Sequence, residues 1–413
     1  MSGTKNPPRL YSLDALRGLG MLFLLLIGPL VIALARGPLE SLFQSNEFLG
    51  CLLRQMELCT WDGFTAWDQI MPLFLFIAGA AIPYALARYK KSEGGCVTWR
   101  FWFRVLRRFL LLWILGAMLQ GNLLSLKLDS LHLYCSPLQA IAVGYLFSAL
   151  LYVFLSARLQ IVVTALLLFG YWGLETFVHF ETKDGFGEVG GGTYVCQHTL
   201  AEWVDHVVMV GHWNAGGTQA WILPGMTFIV TTMTGVFAGT LTRSHLQASA
   251  PAPGGKKEET VPAEKMSVPG TLGVFLKLLL LGVLLGAAGY GWSMIPEETF
   301  GYCPLIMSVW TPSMTLLSSG ISFLLLALLY LIHDLLRFRL GSHFLTVIGM
   351  NALVAYILGT LNNGFFLENI NQIFFGTEQY LGTWYPVLLT TVHFLVIYFI
   401  LWALYRCGKF VKV

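Results

Sequence analysis

The sequence predicts an all-α integral membrane protein, a polytopic bundle of about ten transmembrane helices whose N- and C-termini are both cytoplasmic. Three observations predict this class. Of the 413 residues, 56% are hydrophobic and only 11% are charged, whereas roughly 25% are charged in an average soluble domain. Apolar segments of about 20 residues, the length that crosses a hydrocarbon core, recur along almost the whole chain. The charged residues also fall on alternating sides of these segments.

The first apolar segment is long enough to cross a bilayer and precedes no A-x-A cleavage site, so we do not expect a signal peptide. The ten predicted spans lie near residues 16–36, 69–88, 104–120, 137–157, 159–178, 220–242, 270–292, 313–333, 343–361 and 384–405.

Basic residues give an independent test of this number, because cytoplasmic loops retain Lys and Arg. With the N-terminus inside, all but four of the 25 Lys and Arg residues lie on the cytoplasmic side, and 16 of the 22 acidic residues lie outside. The four exceptions are Arg36, Arg54, Lys127 and Lys183. One span more or fewer would scramble this separation. In this topology the net charge of +3 is the sum of a positive cytoplasmic face and a negative outer face. It implies no nucleic-acid partner.

We interpret residues 1–413 as a single transmembrane domain. Residues 244–269 are rich in Pro, Ala, Gly and charge, which predicts a flexible cytoplasmic linker. Long segments at 37–68, 179–219 and 293–312 are predicted on the outer side, and the second contains an expected amphipathic helix around Leu200 to Val210.

Cysteine and histidine spacing predicts no metal site, and the chain carries seven cysteines. Five lie on the predicted outer side, where an oxidising compartment would permit disulfides, but an odd number cannot all pair. The sequence therefore allows either free thiols or a disulfide among these cysteines.

The stretch "TWDGFTAWDQIMPLFLFIAG" at 60–79 places paired tryptophans and aspartates before an apolar run. Thr65 and Asp68 fit a capping box, in which a hydroxyl and a carboxylate satisfy free N–H groups at a helix start. Trp61 and Trp67 suit the interfacial aromatic belt. Capping and anchoring explain much of this stretch, and the alternative is that its polar groups line a functional site.

Other polar residues near the spans have two interpretations each. Asp14 and Arg17 are three residues apart on one helical face and can pair, either as an inner-leaflet anchor or with Arg17 holding a phosphate. Arg104, Arg107 and Arg108 share one face of a predicted helix with Arg100. This cluster either anchors the helix at the cytoplasmic membrane surface or binds a phosphate group.

Gln139 and Asn351 lie within predicted spans, where polar side chains either join helices or line a pathway.

Six segments together resemble the heparan-α-glucosaminide N-acetyltransferase-like family of bacterial multi-pass membrane proteins, within the transmembrane acyltransferase superfamily. They occur in order over nearly the whole chain. The segments are "RLYSLDALRGLGM" at 9–21, "WDGFTAWDQIMPLFLFIAG" at 61–79, "SPLQAIAVGYLF" at 136–147, "TTMTGVFAG" at 231–239, "VWTPSMTL" at 309–316 and "IGMNALVAY" at 348–356.

The resemblance implies an acyltransferase that moves an acetyl group from cytosolic acetyl-CoA to an amino sugar outside. It also implies a catalytic histidine three residues before Trp61, where this chain has Leu58, and an asparagine where it has Gly28. If the chemistry persists, Glu57, Asp62 or Asp68 must supply the base, with a carboxylate pKa raised by partial burial.

The candidate site residues therefore form two groups. The catalytic candidates are Glu57, Asp62 and Asp68. The substrate and cofactor candidates are Asp14, Arg17, Trp61, Arg104, Arg107, Arg108, Gln139 and Asn351.

Acetyl-CoA is the expected co-substrate, with no metal, and the expected partners are the lipid bilayer and an amino-sugar or glycan acceptor. The expected location is the plasma (inner) membrane. Two alternatives come from other functional classes. One is a transporter or flippase of an envelope sugar or lipid, which would use His393 in its pathway. The other is a catalytically inactive family member that binds ligand without turnover. Whether the chain forms a homo-oligomer stays open.

Overall fold

The computed structural model describes residues 10–125, 127, 130–182, 187–192, 194–209, 219–248, 268–336, 338, 341–360 and 365–410. Within these ranges the chain is almost entirely helical, which confirms the all-α prediction. The described strands form one antiparallel pair, β1 (His179–Glu181) and β2 (Glu188–Gly190), with Phe180 opposite Val189.

Seventeen α-helices occupy the described residues, two of them extended by π-helical turns at Phe23–Ile27 and Leu331–Leu335. The helices are α1 (Tyr11–Leu22), α2 (Gly28–Ala35), α3 (Glu40–Ser45), α4 (Glu47–Arg54), α5 (Ile70–Leu86), α6 (Trp99–Leu119), α7 (Pro137–Phe154), α8 (Ala157–Phe177), α9 (Leu200–Val208), α10 (Gly225–Ala248), α11 (Val268–Ser293), α12 (Pro312–Tyr330), α13 (Ser342–Met350), α14 (Ala352–Thr360), α15 (Phe365–Phe374), α16 (Glu378–Leu381) and α17 (Tyr385–Arg406). Short 3₁₀ turns follow α5 and α15 and precede α17.

Eight helical segments in the described part of the chain are long and apolar enough to cross a membrane. They coincide with eight of the ten predicted spans and support a multi-pass membrane protein. The segments are Tyr11–Ala35, Ile70–Tyr89, Pro137–Phe154, Ala157–Phe177, Gly225–Leu246, Gly270–Ser293, Pro312–Leu335 and Glu368–Arg406.

The third predicted span, 104–120, forms α6, which begins earlier, at Trp99. This helix is 21 residues long, but its arginines make it too highly charged to count among the eight apolar segments.

The ninth predicted span, 343–361, is not one continuous helix. The chain breaks between α13 and α14 at Asn351, and the two pieces are bent by 72°. Asn351 has φ −121° and ψ 35°, outside the helical region. Asparagine favours such breaks because its short amide competes for backbone hydrogen bonds. The pair forms either one broken span or a re-entrant loop, which would bring the number of spanning segments to nine.

The predicted linker at 244–269 is helical at both ends, because α10 continues to Ala248 and α11 begins at Val268. The rest of the linker, 249–267, lies outside the described residues. The expected amphipathic helix is confirmed as α9, and a capping box between Thr199 and Glu202 defines its start.

Contacts divide the chain into two compact units. The first comprises Met1–Leu13, Trp61–Gly63 and Met71–Phe338, and the second comprises Asp14–Thr60, Phe64–Ile70 and Arg339–Val413, within the ranges given above. In the first unit α10 is the most enclosed helix, with 78% of its apolar window buried. It packs on α7, α8, α11 and α12.

Glycines let α5 and α10 approach backbone to backbone within the first unit. A Cβ atom on Gly79 would lie 1.9 Å from the Thr232 carbonyl oxygen, and one on Gly235 would lie 2.0 Å from that of Phe76. Gly235 and Gly239 are four residues apart, the spacing at which small residues permit close helix packing in membranes. This contact aligns the cytoplasmic ends of α5 and α10 in the predicted topology.

The second unit is built around α17, against which α2, α13, α14 and α15 pack. The π-helical turn at Phe23–Ile27 joins α1 to α2. Helices α1 and α13 approach closely, since a Cβ on Gly18 would lie 2.0 Å from the Leu345 carbonyl oxygen.

Candidate functional site

A cavity of about 350 Å³ lies in the first unit and is lined by three arginines. Its lining residues are Tyr84, Ala85, Ala87, Arg88, Arg104 and Arg243. They come from the C-terminal end of α5 and the turn after it, from the start of α6, and from the end of α10. The charge-based topology assigns all three of these ends to the cytoplasm, so their convergence agrees with that prediction.

Local contacts hold the cavity side chains in place. Arg104 donates from Nη1 to the Ala85 carbonyl oxygen at 3.2 Å. Arg88 donates to the Tyr89 hydroxyl at 2.7 Å, and its guanidinium lies 4.7 Å from the centroid of that ring. Tyr84 donates to the Thr242 hydroxyl at 2.8 Å, which ties α5 to α10.

The cavity has the chemistry of an anion-binding site. Its lining carries three guanidinium groups and a phenol, with no carboxylate among the lining residues. Guanidinium forks match the oxygens of phosphate and carboxylate groups, and charge-assisted hydrogen bonds of this kind are among the strongest in proteins. An anion bound here would touch side chains from three helical segments.

The structure separates the three arginines that the sequence grouped on one face of α6. Arg104 lines the cavity, whereas the exposed Arg107 lies over the Phe103 ring at 5.9 Å and Arg108 over the Tyr145 ring at 4.0 Å. The rings attract these guanidinium groups through cation–π interactions, although Arg108 Nε is buried and has no hydrogen-bond partner among the described residues. The cavity instead recruits Arg88 and Arg243, which sequence reasoning missed because neither lies near Arg104 in the chain.

The predicted pairing of Asp14 with Arg17 is confirmed by an ion pair of 3.1 Å. It lies on the first turns of α1 in the second unit, where a Cβ on Gly349 would lie 2.0 Å from the Asp14 carbonyl oxygen. The pair therefore occupies a tightly packed contact between α1 and α13.

Asp68 is fully buried in the second unit and exchanges hydrogen bonds with Thr65 as predicted, but in the turn that precedes α5 and not at the first turn of that helix, which begins at Ile70. Its Oδ2 accepts from the Thr65 N–H at 2.9 Å and from the Thr65 hydroxyl at 3.1 Å, while Oδ1 accepts from the Cys59 N–H at 3.4 Å. Burial raises the pKa of Asp68, as predicted, and the hydrogen bonds from Thr65 and Cys59 oppose that rise. The carboxylate thus fastens the turn that precedes α5.

Asp68→Ala is expected to lower the free energy of unfolding by about 2 to 3 kcal/mol, because the partly buried N–H groups of Thr65 and Cys59 lose their carboxylate acceptor. Thermal unfolding of the purified protein in detergent measures this loss. The exposed Asp62, as Asp62→Ala, is the matched control and should leave the midpoint unchanged. An Asp68→Ala midpoint equal to that of the wild type would show that the carboxylate does not hold this turn.

The other two catalytic candidates are exposed. Glu57 forms an ion pair of 2.5 Å with Arg36. Asp62 makes an isolated antiparallel bridge with Ile306 through its backbone. The neighbouring Trp61 donates from Nε1 to the Tyr194 carbonyl oxygen at 2.7 Å, so it anchors a loop of the first unit.

Gln139 serves as the third residue of α7 and completes a capping box with Ser136. Its Oε1 accepts from the Cys135 N–H at 2.9 Å and the Ser136 N–H at 3.1 Å, and its Nε2 donates to the Leu133 carbonyl oxygen at 2.9 Å. These bonds account for its burial as a helix cap. The buried Asn351 marks the break between α13 and α14 in the second unit.

Sequence reasoning missed three buried carboxylates that hold α9, here called the α9 carboxylates: Glu175, Glu202 and Asp205. Glu175 accepts from the first two N–H groups of α9, at Leu200 and Ala201. Asp205 accepts from the Trp221 N–H at 2.6 Å and the Ile222 N–H at 2.9 Å.

Burial raises the pKa of Glu202 and raises that of Asp205 to about 7. Within the described ranges neither residue forms an ion pair with Lys or Arg, and His198 together with the hydrogen bonds at the start of α9 only partly opposes the rise in the pKa of Glu202. The Thr199-x-x-Glu202 spacing was a readable signal for this group, since it fits a capping box.

No disulfide joins any of the seven cysteines, all of which lie within the described residues. Within the described residues no group of three or more His, Cys, Asp and Glu side chains could hold a metal ion.

The comparisons with known proteins add no relative. No model of a known protein family matches the sequence, and no match is found among curated proteins.

Proposed function

We propose that this protein is a membrane acyltransferase that takes an acyl group, acetyl in the simplest case, from cytosolic acyl-CoA and transfers it to an amino sugar on the outer side. The observation that carries the proposal is the arginine cavity at the predicted cytoplasmic end of α5, α6 and α10. Coenzyme A carries several negatively charged phosphate groups. Arginine side chains that converge on one point are well suited to bind such groups, because the guanidinium fork matches the phosphate oxygens. The sequence resemblance supplies the reaction class.

The transfer itself requires one proton to leave. The acceptor nitrogen attacks the thioester carbonyl carbon, the C–S bond breaks, and the CoA thiolate leaves as a base removes the amine proton. Asp68 is fully buried with its oxygens in hydrogen bonds, and Glu57 pairs with Arg36. Asp62 is exposed on the predicted outer side, and we assign the base to it.

Two positions indicate that a catalytic base in this protein would differ from the base of the acetyltransferase-like family that the sequence resembles. Leu58 stands where a histidine is expected, and its side chain is 61% exposed. Gly28 stands where an asparagine is expected, and a Cβ there would lie 2.3 Å from the Trp67 ring. Trp67 thus occupies the space that a larger side chain would need. This favours either a relocated base or the alternative of binding without turnover.

The arginine cavity is tested by measuring CoA and acetyl-CoA binding to the purified full-length protein by calorimetry. Arg104→Gln and Arg243→Gln are each expected to weaken binding about tenfold or more, because each removes charge-assisted hydrogen bonds to the ligand. Arg107→Gln is the matched control, since Arg107 lies on the same helix but outside the cavity lining, and it should bind like the wild type. If all three variants bind CoA with equal affinity, CoA does not bind in this cavity.

Thiol release during incubation with acetyl-CoA and a panel of amino sugars then separates the functional classes. Sugar-dependent release that Asp62→Asn abolishes supports the transferase. CoA binding without release in the wild type supports the ligand-binding alternative, and sugar uptake into proteoliposomes without thioester cleavage supports a transporter.

A further inference from the structure

Helix α6 presents a stripe of exposed side chains that joins two arginines to a run of apolar residues. Steps of three or four residues link its members, so they share one side of the helix. Its four apolar side chains are 41 to 57% exposed, and both arginines are exposed. We call this surface the α6 stripe, and it comprises Arg100, Phe103, Arg107, Leu110, Leu111 and Ile114.

The opposite face of α6 holds the helix in the first unit. Phe101 and Val105 are fully buried, Leu112 is 4% exposed, and α6 packs on α7. Arg104 belongs to neither face of the stripe, since it lines the arginine cavity and donates to the Ala85 carbonyl oxygen. The α6 stripe therefore lies on the outside of the helix bundle, the surface that lipid contacts when such a bundle spans a membrane.

Charge and apolar surface are separated along the stripe. Both arginines lie within the first nine residues of α6, at its predicted cytoplasmic end, and the leucines and Ile114 follow deeper. The Arg107 guanidinium lies 5.9 Å from the centroid of the Phe103 ring, one turn nearer the helix start. The side chain thus points back toward the predicted membrane surface, as long basic side chains do near the ends of spanning helices. From Arg107 to Ile114 the helix rises about 10 Å.

The two packed helices supply no carboxylate to balance these arginines. Helix α6 contains four arginines and no acidic residue, and α7 contains no charged residue. Charged side chains of membrane helices usually face the bundle interior, because exposure to lipid is costly. A lipid phosphate offers both the opposite charge and the acceptor oxygens that a guanidinium fork needs. Anchoring by positive charge alone would not require the apolar surface that continues from Arg107 to Ile114.

We infer that the α6 stripe is a binding site for an anionic phospholipid of the cytoplasmic leaflet. The headgroup phosphate lies at Arg100 and Arg107, and an acyl chain lies along the apolar residues beyond them. Basic surfaces at the cytoplasmic ends of membrane helices bind such headgroups, and the charge of the stripe favours an anionic lipid over a zwitterionic one. The site is independent of the proposed transferase activity, because Arg107 lies outside the lining of the arginine cavity.

The test counts lipids bound to the purified full-length protein in detergent by native mass spectrometry. Dioleoylphosphatidylglycerol and dioleoylphosphatidylcholine, which differ in headgroup charge, are titrated separately. We expect the wild type to bind the anionic lipid more tightly. Arg107→Gln should weaken this binding about fivefold, the contribution of one arginine near an anionic membrane surface. Arg100→Gln combined with Arg107→Gln should weaken it further. Thermal unfolding shows whether each variant is folded.

Two matched controls remove one arginine each from the same predicted side of the membrane. Arg158→Gln changes an exposed residue at the start of α8, and Arg104→Gln changes the cavity residue on α6. Both should bind phosphatidylglycerol like the wild type. Equal weakening by Arg158→Gln and Arg107→Gln would indicate general attraction between basic residues and anionic lipid, and would overturn the inference.

Two further results would also overturn the site. One is equal wild-type affinity for phosphatidylglycerol and phosphatidylcholine, which would leave the arginines without a role in lipid binding. The other is displacement of the bound lipid by glycerol phosphate, which carries the anionic group without acyl chains. That result would indicate a site for a soluble anion, in which the apolar part of the stripe takes no part.

Discussion

Gly235→Ala is expected to lower the free energy of unfolding by about 3 kcal/mol, although alanine is intrinsically the better helix former by about 1 kcal/mol. The new Cβ would lie 2.0 Å from the Phe76 carbonyl oxygen, and backbone cannot yield as a flexible side chain can. Helices α5 and α10 would have to separate. Because both helices contribute to the arginine cavity, ligand binding should weaken together with stability.

Gly273→Ala on α11 is the matched control, since a Cβ there meets no atom within 4 Å. Alanine at this position should leave stability unchanged or raise it by up to about 1 kcal/mol. Thermal or denaturant unfolding in the same detergent measures both variants. A Gly235→Ala protein as stable as Gly273→Ala would mean that α5 and α10 do not meet as closely as described.

Asp205→Ala is expected to lower the free energy of unfolding by about 3 to 5 kcal/mol, because the buried N–H groups of Trp221 and Ile222 both lose their acceptor. These two bonds connect α9 to the turn that begins α10, so the loss should also increase hydrogen exchange at the amides of α9. The exposed Glu298→Ala is a control for removing a carboxylate and should have little effect.

The same carboxylate makes stability depend on pH with a defined sign. Burial raises the pKa of Asp205 from its ordinary value of 3.8 to about 7, so the folded state holds the proton more tightly than the unfolded chain. The stabilisation by this group is therefore complete below about pH 4 and is lost as the pH rises to about 7, by at most about 1.4 kcal/mol per pH unit.

Asp205→Asn removes this titration and provides its test. Between about pH 4 and 7, the free energy of unfolding of the wild type should fall relative to that of the Asn variant. Parallel pH profiles for the two proteins would show that Asp205 keeps an ordinary pKa in the folded state.

Features that depend on a few neighbouring residues could be predicted from the sequence. Features of this kind are the lengths of the apolar segments, the hydrogen bonds between Thr65 and Asp68, the ion pair of Asp14 with Arg17, and helix α9. The break at Asn351 was missed because apolar composition continues across it, while the bend depends on how α13 and α14 pack.

The candidate site was only partly predictable. Arg104 was identified because arginines cluster at the start of α6, but the same pattern also selected Arg107 and Arg108, which lie on aromatic rings. Which arginine reaches the cavity depends on neighbours from other helices.

The sequence by itself determined that this chain is helical, that it has segments long and apolar enough to cross a membrane, and where most of these segments begin and end. These properties follow from local composition, because a segment in an apolar solvent must satisfy its own backbone hydrogen bonds. Only the tertiary structure decided that Arg88, Arg104 and Arg243 share a cavity and that Asp205 accepts a hydrogen bond from the Trp221 N–H. Such contacts join residues far apart in the chain, and close helix packing, which no local pattern encodes, brings them together.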